Sequence, residues 1–189
     1  MAAMDVTAFL DSGKKFYEQD NYDSAIEEFI KAIKLEPNHE EAKIYLASSY
    51  FNRGIRHFRS GEQEKAIADL TESIRFNPND ATAYGARGSL MEMKKDYDGV
   101  IKDFTEVIRL KPTALAYCSR ANGYYYKGRK YLESDEKKCF EYFELAIKEW
   151  EEAVKLDPSN ELFKKQLNSC VSELEKRKSV SGYLKNNFS

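Results

Sequence analysis

The sequence is short of most things that would give a chain of 189 residues a chemical function. No stretch approaches the roughly 20 consecutive apolar residues that a helix needs to cross a bilayer. The start, Met1-Ala2-Ala3-Met4-Asp5, lacks the basic and apolar regions of a secretory signal. There are three cysteines, Cys118, Cys139 and Cys170, an odd and scattered set without a CxxC pair. Neither a disulfide scaffold nor a zinc site is expected from them, and a reducing, cytoplasmic compartment is. Nine glycines and four prolines are too few for a turn-rich β chain. No sign of charge prevails, with 30 Lys and Arg against 32 Asp and Glu. A nucleic-acid surface would need a basic excess or stripe. Of the two histidines, His39 stands at an expected helix start and His57 on an apolar stripe, neither beside a nucleophile or ligand set. No phosphate-cradling glycine motif occurs. No catalytic residue, cofactor or metal is expected.

What is present is helical periodicity. Residues 81–112 read as two amphipathic helices around a tight turn. Tyr84, Gly88 and Met91 make one stripe, and Val100, Phe104, Val107 and Ile108 make another beyond Asp96-Tyr97-Asp98-Gly99. Pro112 stops the second helix, because it has no N–H to donate and its ring clashes with the preceding turn. All four prolines sit in this context: Leu35-Glu36-Pro37, Phe76-Asn77-Pro78, Leu110-Lys111-Pro112 and Leu156-Asp157-Pro158. Pro78 and Pro112 are 34 residues apart, and the other two intervals are 41 and 46. A repeat of 34 residues with two insertions accounts for all three intervals.

The first insertion, near Glu40–Leu46, has no Gly or Pro, and Ala42, Ile44, Tyr45 and Ala47 continue the apolar pattern. One helix from Glu40 to Phe58 is therefore expected, nearly two turns longer than its counterparts. The second insertion predicts a loop over Gly128–Glu133, with Ser134-Asp135-Glu136 starting a long helix to Leu156. A final amphipathic helix, 160–178, carries Leu162, Phe163, Leu167, Cys170, Val171 and Leu174 on one face. Residues 179–189 read as a flexible tail whose apolar side chains are Tyr183, Leu184 and Phe188.

The small and large residues recur in register: Gly13, Ala25, Phe29, Ala32; Gly54, Ala66, Leu70, Ser73; Gly88, Val100, Phe104, Val107; Ala121, Ala146, Trp150, Ala153. On these residues, over about 6–160, the chain resembles the tetratricopeptide repeat family. It departs at Val100, His57 and Met91. The resemblance implies an all-α, right-handed superhelical solenoid. Its repeats would span 6–39, 40–80, 81–113 and 114–158, with a capping helix at 159–178, all in a single domain over 1–178. It also implies that the first helices line a concave groove for a partner peptide or helix. The groove positions are Lys14, Tyr17, Phe51, Asn52, Ile55, Phe58, Arg59, Ser89, Glu92, Met93, Cys118, Asn122, Tyr125 and Tyr126. One subset of the family grips a chaperone's C-terminal carboxylate at five positions. Only Asn52 matches here; the others hold Leu10, Lys14, Thr82 and Ala86, so that activity is not expected.

The expected function is a non-catalytic protein-interaction scaffold, with apolar anchors at Tyr17, Phe51, Phe58, Tyr125 and Tyr126. The alternative is homo-oligomerisation through the two long helices. Arg53, Arg87 and Arg120 recur on the first helices, and Asp69, Asp103 and Glu149 on the second, which predicts a ladder of Arg–carboxylate pairs. Lys127, Arg129 and Lys130 form a local basic spot suited to an acidic segment.

Overall fold

Helix caps, prolines and left-handed turn residues set the element order. The structure, a computed structural model, describes the backbone of residues 5–188 and side chains to residue 180. Among these there are nine helices and no strand: α1 (Val6–Glu18), α2 (Tyr22–Leu35), α3 (Glu40–Arg59), α4 (Gln63–Phe76), α5 (Ala81–Met93), α6 (Tyr97–Leu110), α7 (Ala114–Arg129), α8 (Glu136–Leu156) and α9 (Glu161–Phe188).

Side chains cap most starts by accepting an orphan backbone N–H. Asn21 accepts from Ser24, Asp96 from Gly99, Thr113 from Ala116 and Asp135 from Lys138. His39 does the same with a ring nitrogen, Nδ1, accepting from Ala42 at 3.2 Å. The second helix of each pair ends two residues before a proline. Glu36, Asn77, Lys111 and Asp157 all leave the helical region there, as the proline ring requires. Within three of the pairs the turn passes through one left-handed residue: Asp20 (φ 56°), Gly61 (φ 78°) and Lys95 (φ 58°).

Both insertions lengthen helices. α3 has 20 residues against 13 in α1, and α8 has 21 against 14 in α6. α9 continues to Phe188, past the end expected at Lys178. Helix propagation adds a hydrogen bond for each residue fixed, so one internal glycine, Gly182, need not end it. The side chains of Tyr183, Leu184 and Phe188 lie outside the described residues.

The chain forms two compact units, Met1–Leu90 and Met91–Ser189. In the first, Leu10, Ala25, Ile26, Phe29, Ala32, Ala42 and Leu46 are buried together between α1, α2 and α3. Burying a side chain such as Phe29 contributes about 1.5–3 kcal/mol. Gly13 is required here: a Cβ on it would lie 2.5 Å from the Phe29 ring. A smaller cluster joins Ala66, Leu70 and Leu90 with Phe51, Ile67 and Ala86 packed against it. In the second unit, Val100, Phe104 and Ala116 pack with Met91, Val107 and Ile108. The large cluster there is Phe143, Ala146, Trp150, Ala153, Phe163, Cys170 and Leu174, with Cys118, Ala121 and Cys139.

Leu35 and Leu156 are 46% and 51% exposed, and Ile44 on the α3 extension is 55% exposed. Phe76, with a longer reach, stacks on Tyr50 at 6.1 Å.

Candidate partner-binding face

The first helix of each pair carries the candidate side chains, and each unit holds its own set. In the first unit, Phe51, Asn52, Ile55 and Arg59 follow one stripe of α3. With Asp20, Tyr22 and Arg56 they line a cleft of about 420 Å³. Phe51 and Ile55 are half-buried, and Arg59 is exposed. Phe58, 39% exposed, does not line the cleft. Arg56 was not among the expected residues. Its guanidinium lies 4.8 Å from the centre of the Tyr22 ring and donates to the Asp20 carbonyl at 3.0 Å. The signal for it was its place four residues after Asn52 on the same helix. Tyr22 in turn donates its hydroxyl to Asp20 Oδ1 at 2.5 Å, and this bond pushes its pKa up to about 12.

Two of the expected residues are engaged within the chain. Lys14 pairs with Glu41 at 2.6 Å and lies 5.4 Å from the Tyr45 ring centre. The bond to Glu41 raises its pKa. Tyr17 packs edge-on against Tyr45 at 5.7 Å, and its hydroxyl accepts from Asn52 Nδ2 at 2.9 Å.

In the second unit the α7 face is covered by α9. The Cys118 thiol donates to Gln166 Oε1 at 3.2 Å, and Gln166 Nε2 donates to Asn122 Oδ1 at 3.3 Å. One turn on, Tyr125 donates to Glu173 Oε2 at 2.7 Å, while its ring stacks on Phe143 at 5.1 Å. Burial first, then the bond to Glu173, pushes the Tyr125 pKa up to about 12. Asn122 and Tyr125, expected to face a partner, are therefore held by the capping helix. A cleft of about 230 Å³ remains beside them, lined also by Tyr126, Leu162 and Lys165. Met93 at the end of α5 is 55% exposed and Tyr126 is 40% exposed.

Two pairs of the expected arginine ladder lie within single units. Arg53 grips Asp69 through Nε at 2.8 Å and Nη2 at 2.7 Å. Arg120 grips Glu149 through Nε at 3.0 Å and Nη2 at 2.8 Å. Arg87 reaches the Thr71 hydroxyl at 3.0 Å, as Arg120 reaches that of Thr105 at 3.2 Å. Each arginine also lies near the ring three residues before it: Arg53 over Tyr50, Arg87 over Tyr84 and Arg120 over Tyr117, at 5.4–5.9 Å. Among the described residues, no group of three or more His, Cys, Asp or Glu side chains is placed to hold a metal ion. No helix there is long and apolar enough to cross a membrane.

The recurring arginine, the small residues facing Phe29 and Phe143, and the proline stops define a repeating unit. The tetratricopeptide repeat family model matches residues 10–55 and again residues 47–80. Residues 10–80 carry tetratricopeptide repeats. Human DnaJ homolog subfamily C member 7 is 25% identical over 181 residues, which is 90% of this chain and 34% of that protein. The Hsp70-Hsp90 organizing protein of Triticum aestivum is 26% identical over 175 residues, 82% of this chain and 28% of that one. The chain thus spans about a third of the length of these relatives. Among solved structures, the first tetratricopeptide domain of Spaghetti (RPAP3), bound to an HSP90 peptide, superposes with a TM-score of 0.55 at 21% identity. It covers 68% of this chain and 93% of that one. The MamA fragment 41-end from Desulfovibrio magneticus RS-1 does so with a TM-score of 0.54 at 16% identity, covering 96% and 92%. These likenesses show the fold. Within it, Asn52, the one residue that matches the carboxylate-gripping subset, gives its amide donor to Tyr17.

Proposed function

We propose that this tetratricopeptide repeat protein is a non-catalytic interaction adaptor that receives a partner peptide or helix in the α3 cleft of its first unit. The observation that carries this reading is the cleft itself, lined by the apolar Phe51 and Ile55 together with Arg56 and Arg59. Such a mixture suits a segment with apolar anchors and a polar or acidic flank. Solved domains of the same fold were determined with HSP90 and HSP70 peptides bound, SRMEEVD and SGPTIEEVD, which supports a peptide as the class of ligand. The near balance of 30 cations and 32 anions favours protein over nucleic acid as partner. Three free, buried cysteines support a reducing, cytoplasmic setting.

The test is affinity capture from the native extract, followed by direct titration of the captured segments as synthetic peptides. The double variant Ile55→Glu, Phe58→Glu changes a half-buried lining side chain and its exposed neighbour one turn on along α3, and leaves the buried clusters intact. It is expected to weaken binding by about tenfold or more with unchanged circular dichroism. Unchanged affinity would overturn the α3 cleft as the binding site. The second reading, self-assembly through the long helices, rests on Ile44 and Leu145, 55% and 37% exposed. A molar mass by light scattering that stays monomeric at all concentrations excludes it.

A further inference from the structure

The turn between α5 and α6 meets the end of α7 at a corner where Lys130 stands over one of a stacked pair of tyrosine rings and the exposed Lys95 lies in the adjoining turn. Lys130 Nζ lies 4.8 Å from the centre of the Tyr97 ring and 3.5 Å from the carbonyl oxygen of Lys95. The Tyr97 ring stacks on Tyr126 at 5.6 Å, with 18° between the planes. Tyr126 leaves 40% of its surface in solvent. The nearby carboxylates are already engaged. Asp98 is paired with Lys127, and Asp96 caps α6 by accepting from the Gly99 N–H at 3.1 Å. Neither Lys95 nor Lys130 has a carboxylate within ion-pair distance among the described residues. The basic spot read from the sequence is thus redistributed: Lys127 is neutralised, and Lys95 joins Lys130.

A second observation concerns the backbone. Lys95 occupies the left-handed position of its turn, at φ 58°. The equivalent position in the preceding pair is Gly61, at φ 78°. Glycine takes this conformation without the Cβ clash that a lysine meets. A lysine here opposes local backbone preference, and no ion pair compensates it.

We propose that this corner is a second docking surface, and that its occupant is an acidic peptide segment of a partner protein carrying an aromatic side chain. The two ammonium groups would take carboxylates, and the exposed Tyr126 would take the aromatic ring by stacking. The corner has an aromatic floor for such a ligand. The tyrosine pair is fixed by stacking, and the cation above Tyr97 is held between the ring and a carbonyl.

The experiment is fluorescence anisotropy at low ionic strength with a labelled synthetic peptide of three glutamates, a phenylalanine and three glutamates. The intact chain is expected to bind it, with affinity falling as salt rises. Lys95→Gly is the decisive variant, since glycine suits the turn: its melting temperature should equal or exceed that of the intact chain, and its affinity should fall about three- to tenfold. Lys95→Glu combined with Lys130→Glu should abolish binding. The same peptide with glutamine for glutamate should not bind. The variant Ile55→Glu, Phe58→Glu should bind normally, which separates this surface from the α3 cleft. Undiminished binding by Lys95→Gly, equal binding of the glutamine peptide, or loss of binding in the Ile55→Glu, Phe58→Glu variant would each overturn the proposal.

Discussion

Gly13 shows how narrowly single side chains are constrained. A methyl group there meets Phe29, which is fully buried and has no room to retreat. Gly13→Ala should destabilise the first unit by about 1–3 kcal/mol, read from the denaturation midpoint. An unshifted midpoint would mean that Phe29 moves freely. Arg53 makes the converse case. Its side chain is 24% exposed, while that of Asp69 is 9% exposed and accepts two short bonds from the arginine, with His57 Nε2 at 3.7 Å on its other side. Replacing Arg53 with methionine keeps the stem and leaves the Asp69 carboxylate only the more distant His57, at about 2–3 kcal/mol. Asp69→Asn added to it should recover part of that loss, and a double-mutant cycle gives the coupling. The small residues and the recurrent arginine were legible in the sequence because they repeat. The bond from Asn52 to Tyr17 was not. It joins residues 35 apart, and each fits a groove position equally well when read alone.

At the scale of elements, the stops and starts were the most legible part. Four prolines and the polar residues before each helix are local signals, and the lengths of α3 and α8 followed from the absence of Gly and Pro in the insertions. Thr113 illustrates such a start: its hydroxyl accepts the Ala116 N–H at 3.2 Å. Thr113→Ala should cost about 1 kcal/mol, and Thr113→Ser should restore most of it. The seat of α9 was not legible. Its amphipathic stripe announced a cap but not which polar side chains of α7 it would occupy, since Gln166 and Glu173 reach residues 44 to 48 positions earlier. The consequence for the candidate site is that Asn122 and Tyr125, read as free groove residues, are fastened to the chain's own helix.

For the molecule as a whole, pH exposes where burial works. Cys170, in the core of the second unit, has its thiol pKa pushed from 9.0 up to about 12 by burial, and Tyr125 beside it from 10.0 up to about 12. Both groups hold their protons more tightly when folded. Their contribution is complete below about pH 9 and is lost as pH rises towards 12. Denaturant midpoints measured from pH 8 upward should fall along this limb, and the double variant Tyr125→Phe, Cys170→Ala should flatten it. The same burial predicts that Cys139 and Cys170 stay unreactive to a thiol reagent near neutral pH until the chain unfolds. Immediate labelling of either would contradict their place in the core.

The two long helices bear on which changes of chain length the protein can absorb. Each exceeds its counterpart by seven residues, 20 against 13 and 21 against 14. Seven residues rotate a helix by about 700°, within about 20° of two full turns. The apolar stripe therefore leaves each insertion facing the way it entered, and length here changes in steps of two turns. Removing seven residues from α3 should leave a chain that still melts cooperatively, at a lower temperature. Removing five would rotate the following stripe by about 140° and bring charged side chains to the core. A five-residue deletion that melts as sharply as the seven-residue one would show that length here is not counted in helical turns.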